Sequence, residues 1–152
     1  MKYFIKVGLF FFISMLFIGC TDKITIEQEK FTIQFGSECG WCAGQEYITI
    51  TDSKVKYERI IPCGENKKTT TKSRELNSYE REEISSSFDY SLYKSLEYTA
   101  CNVCADGCDE IIRITKDNTS HELRYSFSDE IEGMENFRQI LLELMDEMRK
   151  LN

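Results

Sequence analysis

The sequence predicts an α+β domain: an antiparallel sheet of about four to five strands, built from two hairpins, with a short middle helix and a long C-terminal helix on one face. Three observations predict it. Several short runs alternate apolar and polar residues with period two, the signature of half-buried strands. Apolar residues from Ile131 to Leu151 recur at three and four, the signature of an amphipathic helix. Cysteines cluster in the loops between these runs, so disulfides are expected to staple the domain.

Taken in order, Phe31, Ile33 and Phe35 alternate with Thr32 and Gln34 as a first strand. Tyr47-Ile48-Thr49-Ile50-Thr51 is a second, and Asp52-Ser53 turns it into Val55, Tyr57 and Arg59, which makes a hairpin. Residues 64–73 are rich in Lys and Thr, and Thr69-Thr70-Thr71 reads as either a solvated edge strand or nothing regular. Asn77 or Ser78 suits a helix N-cap, and Glu80, Glu82 and Glu83 follow where the helix dipole favours negative charge. The core side of that helix is Ile84, Phe88, Leu92 and Leu96, although the run Ser85-Ser86-Ser87 opposes it. After a Cys-rich loop from Thr99 to Cys108, Glu110–Thr115 and Glu122–Phe127 flank the turn Asp117-Asn118 as a second hairpin. Met134, Phe137, Ile140, Leu141, Leu144, Met145 and Met148 then form the stripe of the C-terminal helix.

At 152 residues the chain suits one folded domain, here residues 31–152. Its net charge of -7 argues against nucleic acid as a partner, since a binder of phosphates presents a basic face. A single histidine, His121, excludes mechanisms that need a His pair or several His metal ligands.

Residues 1–19 read as a signal peptide. Lys2 and Lys6 precede an apolar run from Val7 to Ile18, which as a helix reaches roughly 18 Å, short of a bilayer core of about 30 Å. The run ends in Leu16-Phe17-Ile18-Gly19-Cys20, which resembles the lipobox of bacterial lipoproteins, with Phe17 where that pattern prefers Leu. The resemblance implies that Cys20 is diacylated, cleaved and N-acylated, so that palmitate-type chains hold the protein on the membrane. Cleavage removes Lys2 and Lys6 and no acid, leaving the exported part more acidic still. Thr21 rather than Asp follows Cys20, which favours the outer membrane of a bacterial cell envelope. Residues 20–30, mostly polar, read as a tether.

Setting Cys20 aside leaves Cys39, Cys42, Cys63, Cys101, Cys104 and Cys108. An even set in an exported protein points first to disulfides, because the compartment is oxidising. The two clusters suggest bridges between the loop leading into the first hairpin and the long loop before the second. Two other chemistries fit the spacing. Cys39-Gly40-Trp41-Cys42 has the form of a thiol-redox pair, although no helix follows it to lower a thiol pKa. Cys39/Cys42 and Cys101/Cys104 together have the spacing of a four-Cys zinc site, although the exported location and the extra Cys63 and Cys108 oppose it.

No nucleophile elbow, P-loop or dinucleotide fingerprint occurs. The carboxylates of Asp106, Asp109 and Glu110 lack the alternate spacing of a calcium loop and read as a solvated turn. His121 alternates with Leu123 and Tyr125 as an ordinary strand residue. No cofactor or catalytic set is expected. With no catalytic constellation in the sequence, the expectation is a non-enzymatic module that binds an envelope protein or a small ligand and touches the membrane through Cys20.

Phe35-Gly36 through Cys42, and then Cys101-Asn102-Val103-Cys104-Ala105-Asp106-Gly107, resemble a group of small uncharacterised lipoproteins of diderm bacteria that carry a Cys-x-x-Cys-Ala-Asp-Gly loop. The resemblance spans most of residues 31–150 and implies the same fold and envelope location, with no known activity. Cys108 stands where a small residue is usual in that group, which implies Cys63 as its partner.

Overall fold

The computed structural model describes residues 31–63 and 68–151. The signal peptide, Cys20 and the tether expected from the sequence lie outside the described residues. Ten elements follow in order: strands β1 (Phe31–Cys39), β2 (Gly44–Ile50), β3 (Lys54–Ile61) and β4 (Lys68–Glu75), helices α1 (Ser78–Ser87) and α2 (Tyr90–Ser95), a 3-10 turn (Asn102–Ala105), strands β5 (Cys108–Lys116) and β6 (Thr119–Tyr125), and helix α3 (Glu135–Lys150). No described helix is long and apolar enough to cross a membrane.

The strands form one antiparallel sheet in the order β4-β3-β2-β1-β5-β6. The fold is therefore α+β, with six strands rather than four to five and with the sheet dominating. Both expected hairpins are present, β2/β3 and β5/β6. In the second, Asp117 and Asn118 both take positive φ (49° and 64°), as a type I′ turn requires. The β1 strand is central, bonded to β2 on one side and to β5 on the other. Its place follows from burial: Ile33 pairs with Ile50 and Ile114, and Phe35 with Ile48 and Ile112, all on one face.

That face packs on the helices. Val55, Tyr57, Leu123 and Tyr125 extend it sideways, and Ile84, Tyr93, Phe137, Leu141, Met145 and Met148 complete the core from the helix side. The three-and-four stripe of α3 is thus core, as its periodicity dictates. The side chains of Ile131 and of Met134, the N-cap of α3, belong to the same core.

The middle helix is two helices. Asn77 caps α1, accepting from the Glu80 amide at 2.9 Å while the Glu80 carboxylate accepts from the Asn77 amide at 2.8 Å, a reciprocal capping box. The Ser85, Ser86 and Ser87 hydroxyls each donate to the carbonyl three residues back, a local alternative that closes the helix at its last turn. Phe88 is extended, and Asp89 starts α2 by accepting from the amides of Ser91 and Leu92. The chain so redirected drives Tyr93 into the sheet. Its hydroxyl donates to the His121 carbonyl, with the Ile112 carbonyl 3.2 Å away, and accepts from the Ile114 amide, between β5 and β6. His121 is the sheet residue expected: its ring meets that of Tyr93 edge-on, and its Nε2 lies 3.0 Å from the Leu96 carbonyl.

Candidate functional site

Antiparallel pairing brings every cysteine of the domain to one end of the sheet. Cys39 ends β1, Cys108 begins β5, and the two stand directly opposite in register with Cα atoms 4.1 Å apart, where a disulfide joins them. Cys42, in the β1–β2 connection, is bonded to Cys63, just past β3. Cys101 and Cys104 are bonded to each other across the 3-10 turn. The Cys39–Cys108 bridge is of the kind expected, joining the first hairpin region to the loop before the second. The pairing of Cys63 with Cys108 is corrected: β5 lies beside β1, which puts Cys108 against Cys39, and Cys63 reaches Cys42 through the β2–β3 meander. Cys39 and Cys42 are likewise not bonded to each other, since each faces a different neighbour. With all six sulfurs in disulfides, the two Cys-x-x-Cys pairs do not present the four thiolates that a zinc site needs.

Between Cys39 and Cys42 the chain presents Trp41, 81% exposed. Trp41 and Cys42 both adopt left-handed backbone, φ 46° and 66°, a conformation that costs an L-residue roughly 1–2 kcal/mol. Neighbouring bonds hold it. The Gly40 amide donates to the Gly107 carbonyl at 2.9 Å, the Ala43 amide donates to the Gly40 carbonyl at 3.1 Å, and a disulfide lies on each side of Trp41. A Cβ at Gly40 would stand 3.0 Å from the Val103 carbonyl oxygen and 3.1 Å from the Asp106 Cα, so the Cys-rich loop sits directly against this turn. The same loop is anchored by Asp109, which is fully buried and accepts from the amides of Asn102 and Val103. The expected solvated turn is corrected here: the Asp109 carboxylate is a buried clamp on the loop, and the Glu110 carboxylate, also buried, turns to the opposite sheet face. Among the described residues no group of three or more His, Cys, Asp or Glu side chains is placed to hold a metal ion.

On the sheet face away from the helices, Arg124 joins Glu38 at 2.7 Å and Asp109 at 3.4 Å, and the Tyr47 hydroxyl donates to Glu38. Tyr47 lies across Gly36, where a Cβ would overlap the Glu46 carbonyl oxygen and the Tyr47 ring. This is the physical reason for glycine after Phe35.

On the helix-facing side, where α3 ends, a cleft of about 450 Å³ opens between Glu46, Tyr57, Arg59, Thr70, Lys72 and Arg149. Arg149 grips the Glu46 carboxylate with two nitrogens, at 2.9 and 2.6 Å, and the Tyr57 hydroxyl donates to the same group. The Arg149 bonds, opposed by burial and aided by Tyr57, hold the Glu46 carboxyl below its ordinary value. Burial, and then Glu46 as acceptor, push the Tyr57 phenol up to about 12. Lys72 donates to the carbonyl oxygens of Arg149 and Leu151 at the end of α3.

These carboxylates give the stability a defined pH dependence. Hydrogen bonds from Arg74 lower Glu80, and at Glu38 the opposing burial is outweighed by Tyr47 and Arg124, so Glu38, Glu46 and Glu80 all lie below the ordinary 4.5. A carboxyl lowered on folding contributes stability that is fully present above its unfolded value and is lost as pH falls through its folded value. Denaturation midpoints should therefore hold steady down to the ordinary carboxylate value and fall below it. Urea titrations across the acid range test this, with Glu46→Gln expected to reduce the acid slope; an unchanged slope would remove Glu46 from the account.

No protein-family model matches the chain, and no curated protein matches it.

Proposed function

We propose that the chain is a lipid-anchored, non-enzymatic module of the bacterial cell envelope that engages another envelope protein through Trp41. The observation that carries this reading is the exposure of Trp41 on a turn flanked by two disulfides. Tryptophan is among the residues that most often dominate binding energy, and a turn already fixed loses little freedom when it docks. Its position supports the reading further. β1 runs from Phe31, where the tether expected from the sequence joins the domain, to Cys39, a span of about 26 Å at about 3.3 Å per residue. Trp41 thus follows the end of β1 opposite to Phe31, the end at which the tether would join. Three disulfides suit an oxidising compartment, Leu16–Cys20 supplies the lipobox-like sequence, and Thr21 favours the outer membrane.

A photo-crosslinking residue placed at position 41 in the full chain, expressed in bacteria, should give a discrete adduct. The same residue at Tyr79, also exposed but on α1, should give none. Equal labelling at both positions would remove Trp41 as the binding element. Cys20→Ala should abolish membrane partitioning, and unchanged partitioning would rule out the anchor.

One observation favours a second reading, in thiol exchange. Cys42–Cys63 and Cys101–Cys104 both join exposed residues, and of the two Cys101–Cys104 closes the shorter loop, at separation 3; accessible disulfides are the labile ones. Limited treatment with reductant followed by alkylation and intact mass distinguishes the readings: a redox role requires that the Cys101–Cys104 bridge open first and reversibly.

A further inference from the structure

The cleft at the end of α3 is not accounted for by a partner at Trp41, which projects from the β1–β2 connection. Antiparallel register assembles the cleft from four elements: Glu46 of β2 is opposite Arg59 of β3, Arg59 is opposite Thr70 of β4, and Tyr57 is opposite Lys72, with Arg149 supplied by α3. Most of its polar groups serve the fold. Glu46 is neutralised by Arg149, Tyr57 donates to Glu46, and Lys72 holds the last carbonyls of α3. Arg59 and Thr70, side by side across two strands, make no side-chain hydrogen bond or close ion pair among the described residues, Arg59 acting on Glu46 and Tyr57 only through space, and both line the cleft. The described side chains of this lining carry three cations against one carboxylate, in a chain whose overall charge is -7. The volume, about 450 Å³, is that of a small-molecule site, which typically spans about 300–1,000 Å³.

We propose that this cleft binds a small ligand through an oxyanion group, a phosphate or a carboxylate, taken by Arg59 and Thr70 with Arg149 behind them. The guanidinium fork of Arg59 matches such a group in shape and charge, and the Thr70 hydroxyl adds a neutral donor. The Glu46–Arg149 pair fixes the wall against which the anion sits. The Tyr57 ring, buried and capped by the Lys72 ammonium at 5.8 Å, forms the floor of the cleft.

The test is an amide NMR titration of the full chain at low ionic strength with inorganic phosphate, acetate and, separately, vesicles containing phosphatidylglycerol. Saturable shifts centred on Arg59, Thr70 and Arg149 are expected with at least one of the free anions. Arg59→Ala should weaken that binding about tenfold or more, the usual scale for a lost charge-assisted hydrogen bond, while Lys94→Ala on α2 should leave it unchanged. Because Arg59 is exposed, its removal leaves the fold intact, which the unchanged spectrum elsewhere verifies; Arg59→Lys should retain part of the affinity. Saturation with phosphate or acetate alone identifies a free ligand. Additional vesicle binding that Arg59→Ala abolishes identifies a lipid headgroup. Shifts that do not saturate and spread over surface lysines, or binding unaffected by Arg59→Ala, would overturn the proposal.

Discussion

Removing the Cys39–Cys108 disulfide, by Cys39→Ala together with Cys108→Ala, is expected to lower stability by about 4 kcal/mol, the largest effect of the three bridges. The bond closes a loop of sequence separation 69 and joins β1 to β5. Loop closure restrains the unfolded chain more as the loop lengthens, so Cys42–Cys63, at separation 21, should contribute about 3 kcal/mol. Cys101–Cys104, at separation 3, joins residues that the chain already keeps close and should contribute least. Native geometry does not oppose the first bridge, since Cys39 and Cys108 occupy paired positions whose Cα atoms are 4.1 Å apart, near the spacing of a non-hydrogen-bonded antiparallel pair, about 4.5 Å. Urea denaturation of the three paired variants, purified under oxidising conditions, measures the order. Equal losses, or the greatest loss at Cys101–Cys104, would mean that local loop structure rather than chain restraint governs these bonds.

The same register explains which features were legible in the sequence. Local signals sufficed where a few neighbouring residues determine the outcome: the helix start at Asn77 or Ser78, the Asp117-Asn118 turn and the stripe of α3. They failed where a strand is defined by what lies beside it. β4 contains no apolar residue and buries none of its side chains fully; its half-buried positions are Thr70, Lys72 and Arg74. Its alternation therefore carries no hydrophobic signal. Arg74 illustrates the substitution of charge for apolar contact, since it joins Glu80 of α1 at 2.6 Å and Glu147 of α3 at 2.9 Å.

The cleft was invisible for a related reason. Glu46 and Arg149 are separated by 103 positions and meet only once α3 is laid across the sheet. Trp41 could have been found earlier: a lone tryptophan between two cysteines, in a segment too short to bury it, has few places to go but outward. The break at Asp89 also had a signal, an N-cap residue two positions before Ser91, which the apolar spacing of Ile84, Phe88, Leu92 and Leu96 masked.

The second large effect expected is at the buried ion pair between sheet and helix. Glu110 on β5 is 2% exposed, and Arg138 of α3 donates to both its oxygens, at 2.6 and 2.8 Å. The buried Tyr125 hydroxyl donates to the same carboxylate. Arg138→Met should cost about 3–5 kcal/mol, because it leaves a desolvated carboxylate without its countercharge. Exposed pairs such as Lys150–Asp146 should change stability by less than about 1 kcal/mol. The distinction between a penalty and a contribution is what a double variant resolves. Glu110→Gln keeps an oxygen for the Tyr125 hydroxyl while removing the charge, so Glu110→Gln with Arg138→Met should recover much of the loss, and the two single losses should not add. Denaturation of the four proteins of this cycle gives the coupling directly. If Arg138→Met behaved like a surface variant, or if the double variant lost the sum of the single losses, the pair would have to be solvated in solution and α3 held on the sheet by its apolar stripe alone.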